Sequence, residues 1–224
     1  METTNSILEK TLVVHEITLT IQGESSHVGR LCVLVRLAGC PQACSYCDTP
    51  QARPFDAGET LTIAQIIERI MALQCDLVEI TGGEPLAQPA TPDLALCLLD
   101  RGFQVLVETS GSFSIEVLPP LVARIMDLKC PSSGECDRNN FANVESLTGL
   151  DEVKFVIADR GDYEWARNVV YEHQLAERCE VLFSTAYGRL ELRQLGEWIV
   201  ADRLPARLQC QLHKSVWGPD DRGV

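Results

Sequence analysis

The chain has no unbroken apolar run near the length of a membrane span, although 46 % of its 224 residues are hydrophobic, so no transmembrane helix is predicted. Its first twenty residues carry Glu2, Glu9, Lys10, His15 and Glu16 where a secretory leader would have an apolar core, and a soluble cytoplasmic protein is expected. Positive charge is scarce: 19 Lys and Arg face 32 Asp and Glu, a formal charge of −13. Nucleic acids are held mainly by cations that neutralise phosphates, so no nucleic-acid partner is expected, and no membrane partner either. Internal repeats and low-complexity segments are also missing. The length suits one substantial core and is short for two, which predicts a single domain over 1–224. Cysteine, by contrast, is plentiful, with ten residues clustered unevenly. That pattern fits a reducing compartment better than a disulfide scaffold.

The segment Cys40-Pro-Gln-Ala-Cys44-Ser-Tyr-Cys47-Asp-Thr49 concentrates three of these cysteines in a C-x3-C-x2-C spacing. A closed structural zinc normally takes four protein ligands; no Cys or His follows closely after Cys47, and His27 and Cys32 upstream lack the usual paired spacing. Three thiolates can instead grip three corners of one iron–sulfur cluster and leave the fourth iron open. Three buried free cysteines is the remaining reading, and Pro41, Gln42, Ser45 and Asp48 argue against it by making the segment a polar turn. Cys32, Cys75, Cys97, Cys179 and Cys210 lie in apolar patterns and are expected in the core. Cys130 and Cys136 flank a Pro-Ser-Ser-Gly loop that is too sparse to predict a second metal site.

Along the chain, short β-branched runs alternate with helical periodicities. Strands are predicted over 11–17, 31–37, 76–80, 104–107, 123–126, 151–157, 180–183 and 207–212. Helices are predicted over 63–73, with Thr62 as cap and Gln65 three residues on, from Thr91-Pro92 to Gly102, from Asp162 as cap to His173, and over 190–201. The first helix should bury Ile66, Ile67, Ile70 and Met71 on one face. Strand, polar turn, helix is the recurring order, which implies parallel strands joined by crossovers. Ligands then collect at the carboxyl ends of the strands. The cysteine loop, Thr81-Gly82-Gly83-Glu84-Pro85, Glu108-Thr109-Ser110-Gly111, Asp127-Leu128-Lys129 and His213-Lys214 all fall at such ends.

Taken singly, these motifs are weak. Gly-Gly is common in ordinary turns, Asp127 and Lys129 could be a solvated strand end, and a lone His213 is more often structural than catalytic. Arg36 in an otherwise apolar strand either snorkels to water or meets an anion, and its place before the cysteine loop favours the anion. In Ile21-Gln22-Gly23-Glu24 the glycine allows close approach to a ligand, while Gln and Glu can read a ring edge that carries donors and acceptors. The hydroxyl of Thr49 could serve a hard cation that keeps most of its waters.

The cysteine spacing with Tyr46 before the third thiol resembles the radical S-adenosylmethionine (SAM) enzymes, as does the Gly-Gly-Glu-Pro segment. Together with Ile21-Gln22-Gly23-Glu24, Arg36-Leu-Ala-Gly-Cys40, Cys47-Asp48-Thr49, Asp127-Leu-Lys-Cys-Pro-Ser-Ser-Gly134 and Gln211-Leu-His-Lys214, it is similar to the 7-carboxy-7-deazaguanine synthases over about 14–219. The resemblance implies a partial, open (β/α) TIM-like barrel with a shortened helical layer, and a homodimer. It implies a [4Fe-4S] cluster on Cys40, Cys44 and Cys47, and SAM held by Tyr46, Cys47, Asp48, Gly83, Asp127, Leu128 and Lys129. Mg2+ would sit on Thr49, and a pterin would be held by Ile21, Gln22, Gly23, Arg36, Thr81 and Pro219. The implied reaction is ring contraction of 6-carboxy-5,6,7,8-tetrahydropterin with loss of ammonia, supplied with electrons by an external reductant such as flavodoxin or ferredoxin. Ser25 stands where this family commonly has Gly, and the chain runs on past Pro219, so the tail from about 214 reads either as a frayed end or as a lid. A glycyl-radical-activating enzyme shares the cysteine spacing, and a zinc-stabilised binding module is the non-catalytic alternative.

Overall fold

The computed structural model describes residues 4–218, and Pro219 lies outside them. In chain order the elements are α1 (Thr4–Leu8), β1 (Thr11–Ile21), β2 (Leu31–Leu37), β3 (Glu59–Thr62), α2 (Ile63–Ala72), β4 (Leu77–Gly82), α3 (Thr91–Leu99), β5 (Gln104–Thr109), β6 (Ala123–Asp127), β7 (Glu152–Ile157), α4 (Arg160–Glu172), α5 (Leu175–Arg178), β8 (Glu180–Thr185), α6 (Leu192–Asp202), β9 (Arg207–Gln209) and α7 (Leu212–Val216). The strands form one open sheet in the order β3-β1-β2-β4-β5-β6-β7-β8-β9. From β2 through β9 every neighbouring pair is parallel, the expected (β/α) grammar. The helical layer is indeed short, because only 3-10 turns connect β5 to β6 and β6 to β7.

Two expectations fail at the first edge of the sheet. β1 runs antiparallel to both β2 and β3, so the all-parallel reading does not hold there. The reversal comes from a hairpin turn at 22–30, whose short length leaves no room for a crossover helix. β3 falls in a stretch read as loop; its four residues are too few to show an alternation.

Local chemistry sets the helix starts. Thr62 and Gln65 form a reciprocal capping box at α2. Ile66, Ile67 and Ile70 are buried as expected, whereas Met71 is 58 % exposed because the next residue lies 100° round the helix from the stripe. Asp159, not Asp162, caps α4. The Asp162 carboxylate instead accepts from the backbone N–H of Ser132 at 2.9 Å and of Ala158 at 3.0 Å, fastening the loop beyond Cys130 to the helix start. β9 stops at Gln209, so Cys210 is exposed rather than in the core, and Leu212, His213 and Lys214 lie on a short helix rather than at a strand end.

Strand alternation divides the sheet into two faces. Val33, Val35, Leu37, Val78, Ile80, Val105, Val107, Val153, Phe155, Val181 and Phe183 pack in one core with Ile66, Ile70, Leu94, Leu98, Ala166, Val170 and Leu195 from the helices. The residues between them point the other way. Register places Arg36 beside Thr81, Asp127 beside Lys154, and Ser184 beside Gln209 on that inner face. Among the described residues no helix is long and apolar enough to cross a membrane.

Candidate active site

The loop after β2 is tied down on all sides. Cys40 N–H donates to Arg53 O at 2.9 Å, Ala43 N–H to Glu135 at 2.8 Å, and Ser45 N–H to Ser133 O at 2.9 Å. Arg189 donates to Ser45 O at 2.9 Å and lies 5.5 Å over the Tyr46 ring, while the Tyr46 hydroxyl donates to Val156 O at 3.2 Å. Cys40, Cys44 and Cys47 are thus half-buried on one braced loop, all as free thiols. Burial pushes the Cys44 thiol up to about 11 and raises that of Cys40, so these sulfurs become thiolates when a metal centre offsets their charge.

The end of β4 presses against this loop. A Cβ on Gly83 would stand 2.4 Å from Gly39 O and 2.8 Å from the Cys40 Cβ, so only glycine lets the two backbones meet. Glu84 is fully buried and locked. Its carboxylate accepts from the N–H groups of Leu86 and Ser110 and from the hydroxyls of Thr109 and Ser110, joining the ends of β4 and β5. At the end of β6, Lys129 Nζ donates to Asp127 Oδ2 at 2.7 Å. Burial would lower Lys129, but Asp127 outweighs it and holds the ammonium charged. Asp127 Oδ1 is buried with no hydrogen-bond partner among the described residues, an acceptor left for a ligand's donor. The Leu128 side chain lies in the core, so only its backbone can meet a ligand. Three braced thiols, a glycine cradle beside them and an unpaired acid oxygen fit a cluster with an amine-bearing cofactor.

The rest of the cluster comes from the hairpin turn and the opposite edge. Ile21 ends β1 and is half-buried. Gln22 is buried, and both ends of its amide are engaged: Oε1 accepts from Glu24 N–H at 2.9 Å and Nε2 donates to Glu79 Oε2 at 3.2 Å. It braces the turn, with a second Nε2 hydrogen and a second Oε1 lone pair left for a ring edge. Gly23 seats α7, since a Cβ there would stand 2.4 Å from His213 Nδ1. Burial lowers His213 and favours its neutral ring. Arg36 Nε donates to Glu16 at 2.5 Å, which supplies the anion expected for it from within the chain. Thr81 donates to Glu108 at 3.1 Å. Thr49 donates to Asp48 Oδ1 at 3.0 Å, and Lys214 donates to Asp48 Oδ2 at 3.1 Å. Burial would raise Asp48, but Lys214 outweighs it and holds the carboxyl well below the usual carboxylate range.

Sequence reasoning missed the centre of this network. Lys154 contacts Glu24 and Glu108 from mid-strand in β7, and Gln211 donates to Glu24 at 2.8 Å. Nothing in an isolated Lys within a strand signals partners so distant along the chain.

Residues 34–130 match the family model described as the radical SAM superfamily. A 7-carboxy-7-deazaguanine synthase of Chlorobaculum tepidum is 43 % identical over 96 % of this chain and 99 % of its own length. Another, from Koribacter versatilis, is 37 % identical over 94 % of this chain and 99 % of its own. Among solved structures, QueE from Escherichia coli superimposes with a TM-score of 0.74 at 20 % identity, covering 95 % of this chain and all of that one, a likeness of fold.

Proposed function

Because the chain belongs to the 7-carboxy-7-deazaguanine synthases of the radical SAM superfamily, we propose that its strand-end cavity contracts 6-carboxy-5,6,7,8-tetrahydropterin to 7-carboxy-7-deazaguanine with release of ammonia. The observation that carries this reading is that the Gly83 cradle meets the cysteine loop, and that Gln211 links Asp48 of that loop to Glu24 of the hairpin turn. When bound, the cluster and SAM supply the one-electron chemistry that takes hydrogen from an unactivated C–H bond.

The protein's own part is to hold and exclude. Cys40, Cys44 and Cys47 would ligate the cluster. Tyr46, Cys47, Asp48, Gly83, Asp127, the Leu128 backbone and Lys129 would position SAM, with Asp127 Oδ1 accepting from its amine. Thr49 would add a hydroxyl ligand to Mg2+, for which its lone pairs remain while its proton goes to Asp48. Arg36 is engaged through Nε by Glu16, so a substrate carboxylate would meet the terminal nitrogens of the guanidinium. Ile21, Gln22, Gly23 and Thr81 would hold the pterin, Gln22 also bracing the turn; Pro219 keeps its place in this proposal outside the described residues. We read 1–224 as one cytoplasmic domain, paired as a homodimer and reduced by a flavodoxin or ferredoxin.

Anaerobically reconstituted protein given SAM, Mg2+, a reductant and the carboxytetrahydropterin should yield 7-carboxy-7-deazaguanine. SAM cleavage without that product would favour a glycyl-radical activator and overturn the reading. Thr49→Ala should retain its cluster absorbance and lose Mg2+-stimulated turnover by at least about tenfold, as expected when one ligand of a hard cation goes. An unchanged Mg2+ response would remove Thr49 from the site.

A further inference from the structure

The roles above leave unexplained the cation among the inner-face carboxylates. The Lys154 side chain is 5 % exposed on the inner face of β7, where an unpaired ammonium would be strongly disfavoured. Its Nζ lies 2.8 Å from Glu24 Oε2, in direct contact with Glu108 Oε1 and 4.0 Å from Asp127 Oδ2. The three carboxylates come from the hairpin turn, β5 and β6, so one ammonium with three donors draws these segments together.

The remaining oxygens of the two nearer acids are aimed by neutral groups. Thr81 donates to Glu108 Oε2 at 3.1 Å, and Gln211 donates to Glu24 Oε1 at 2.8 Å. Among the described residues Lys154 is the cation paired with both of them. Other titratable groups also face it: Glu79 from β4, Asp48 from the cysteine loop and Lys129 beyond β6. His213 and Lys214 approach the same acids from α7. Acids crowd the cavity, and without the ammonium like-charge repulsion would protonate some of them. Burial would raise Glu108, but Lys154 outweighs it and keeps the carboxyl below its ordinary range.

We propose that Lys154 is a positioning residue for substrate, fixing Glu24 and Glu108 as paired acceptors for the N–H edge of a 2-aminopyrimidinone ring. The inference rests on the pterin reading of the site. Such a ring offers an amino and a ring N–H side by side, which carboxylate oxygens match and a protonated or rotated acid does not.

The test uses anaerobic holoenzyme loaded with SAM and left unreduced, with calorimetric binding of 6-carboxy-5,6,7,8-tetrahydropterin between about pH 6.5 and 8.5. The wild-type profile, which carries the titration of Glu79 near its upper end, is the reference. Lys154→Met should bind at least about tenfold more weakly at the acid end, with the deficit shrinking as pH rises and the orphaned acids ionise again. Lys154→Arg should recover most of the affinity throughout. Wild-type affinity and pH dependence in Lys154→Met overturn the proposal, as does a constant deficit that Arg fails to rescue. If Lys154→Met does not fold, Lys154→Met/Glu108→Gln removes one charge of each sign; it should keep the cluster absorbance and bind weakly at every pH, and wild-type affinity there also overturns the proposal. A wild-type protein that binds no pterin contradicts the reading of the site itself, a result distinct from all of these.

Discussion

Glu79 shows how a single buried residue couples the site to stability. It is 4 % exposed on β4, and burial, with Glu108 adding to it, pushes its carboxyl up to about 8. Its folded form therefore keeps a proton that the unfolded chain releases near the ordinary value of 4.5. A raised acid costs stability as pH climbs from the unfolded value to the folded one, so between about pH 7 and 8 the protein should lose on the order of 1 kcal/mol per unit from this group. Glu79→Gln keeps the bond to Gln22 available and carries no proton to lose. Urea unfolding across that window should show a flatter pH dependence in the variant than in the wild type. Parallel slopes would mean that Glu79 is ionised already.

The same residue marks what was hidden in the sequence. Glu79 reads as the polar member of an alternating strand, and only the packing of the turn against β4 makes it the brace of Gln22. Arg36 is a milder case. An anion was expected for it, and the cross-strand neighbour Glu16 provides one because β1 runs antiparallel with the two in register.

At the scale of elements, chemistry confined to a few neighbouring residues was legible. Thr62 and Gln65 announced the start of α2, and Pro92 with Gly102 bracketed α3. Where neighbours along the chain offered two answers, packing chose. Asp159 and Asp162 are both plausible caps, and the Ser132 loop claims Asp162. β9 was drawn too long because apolar residues continue past Gln209, although the chain there has turned away to lay Leu212 N–H on Gly23 O at 2.9 Å.

Helix ends also hold strain that can be released. Arg203 closes α6 with a left-handed backbone, φ 50°, a conformation that side chains with a Cβ resist. It is exposed, and glycine is the residue such a position favours. Arg203→Gly should stabilise the protein by about 1 kcal/mol, read as a higher urea midpoint at constant slope. An unchanged or lower midpoint would show that the arginine side chain makes up the difference.

For the whole molecule, the architecture follows from where helices are missing. β5, β6 and β7 are joined by 3-10 turns alone, and the sheet stays open from β3 to β9 instead of closing. The hairpin turn and α7 meet through Gly23 and His213. The parallel order of seven strands could be read from alternating patterns, and the strand ends therefore predicted one mouth. The Lys154 network could not be read, because its contact to Glu24 spans 130 residues and to Glu108 spans 46. Pattern carries information over a turn or two; charge pairing across a sheet is visible only once the sheet exists.

All of this depends on the cysteine loop holding a cluster that three thiolates leave open toward that mouth. The direct measurement is the iron and sulfide content of protein reconstituted without oxygen, alongside Cys40→Ala, Cys44→Ala and Cys47→Ala. The wild type should hold about four iron and four sulfide per chain, and each variant should lose most of both. Zinc in place of iron with no sulfide, or a full cluster surviving loss of any one of these thiols, would contradict it.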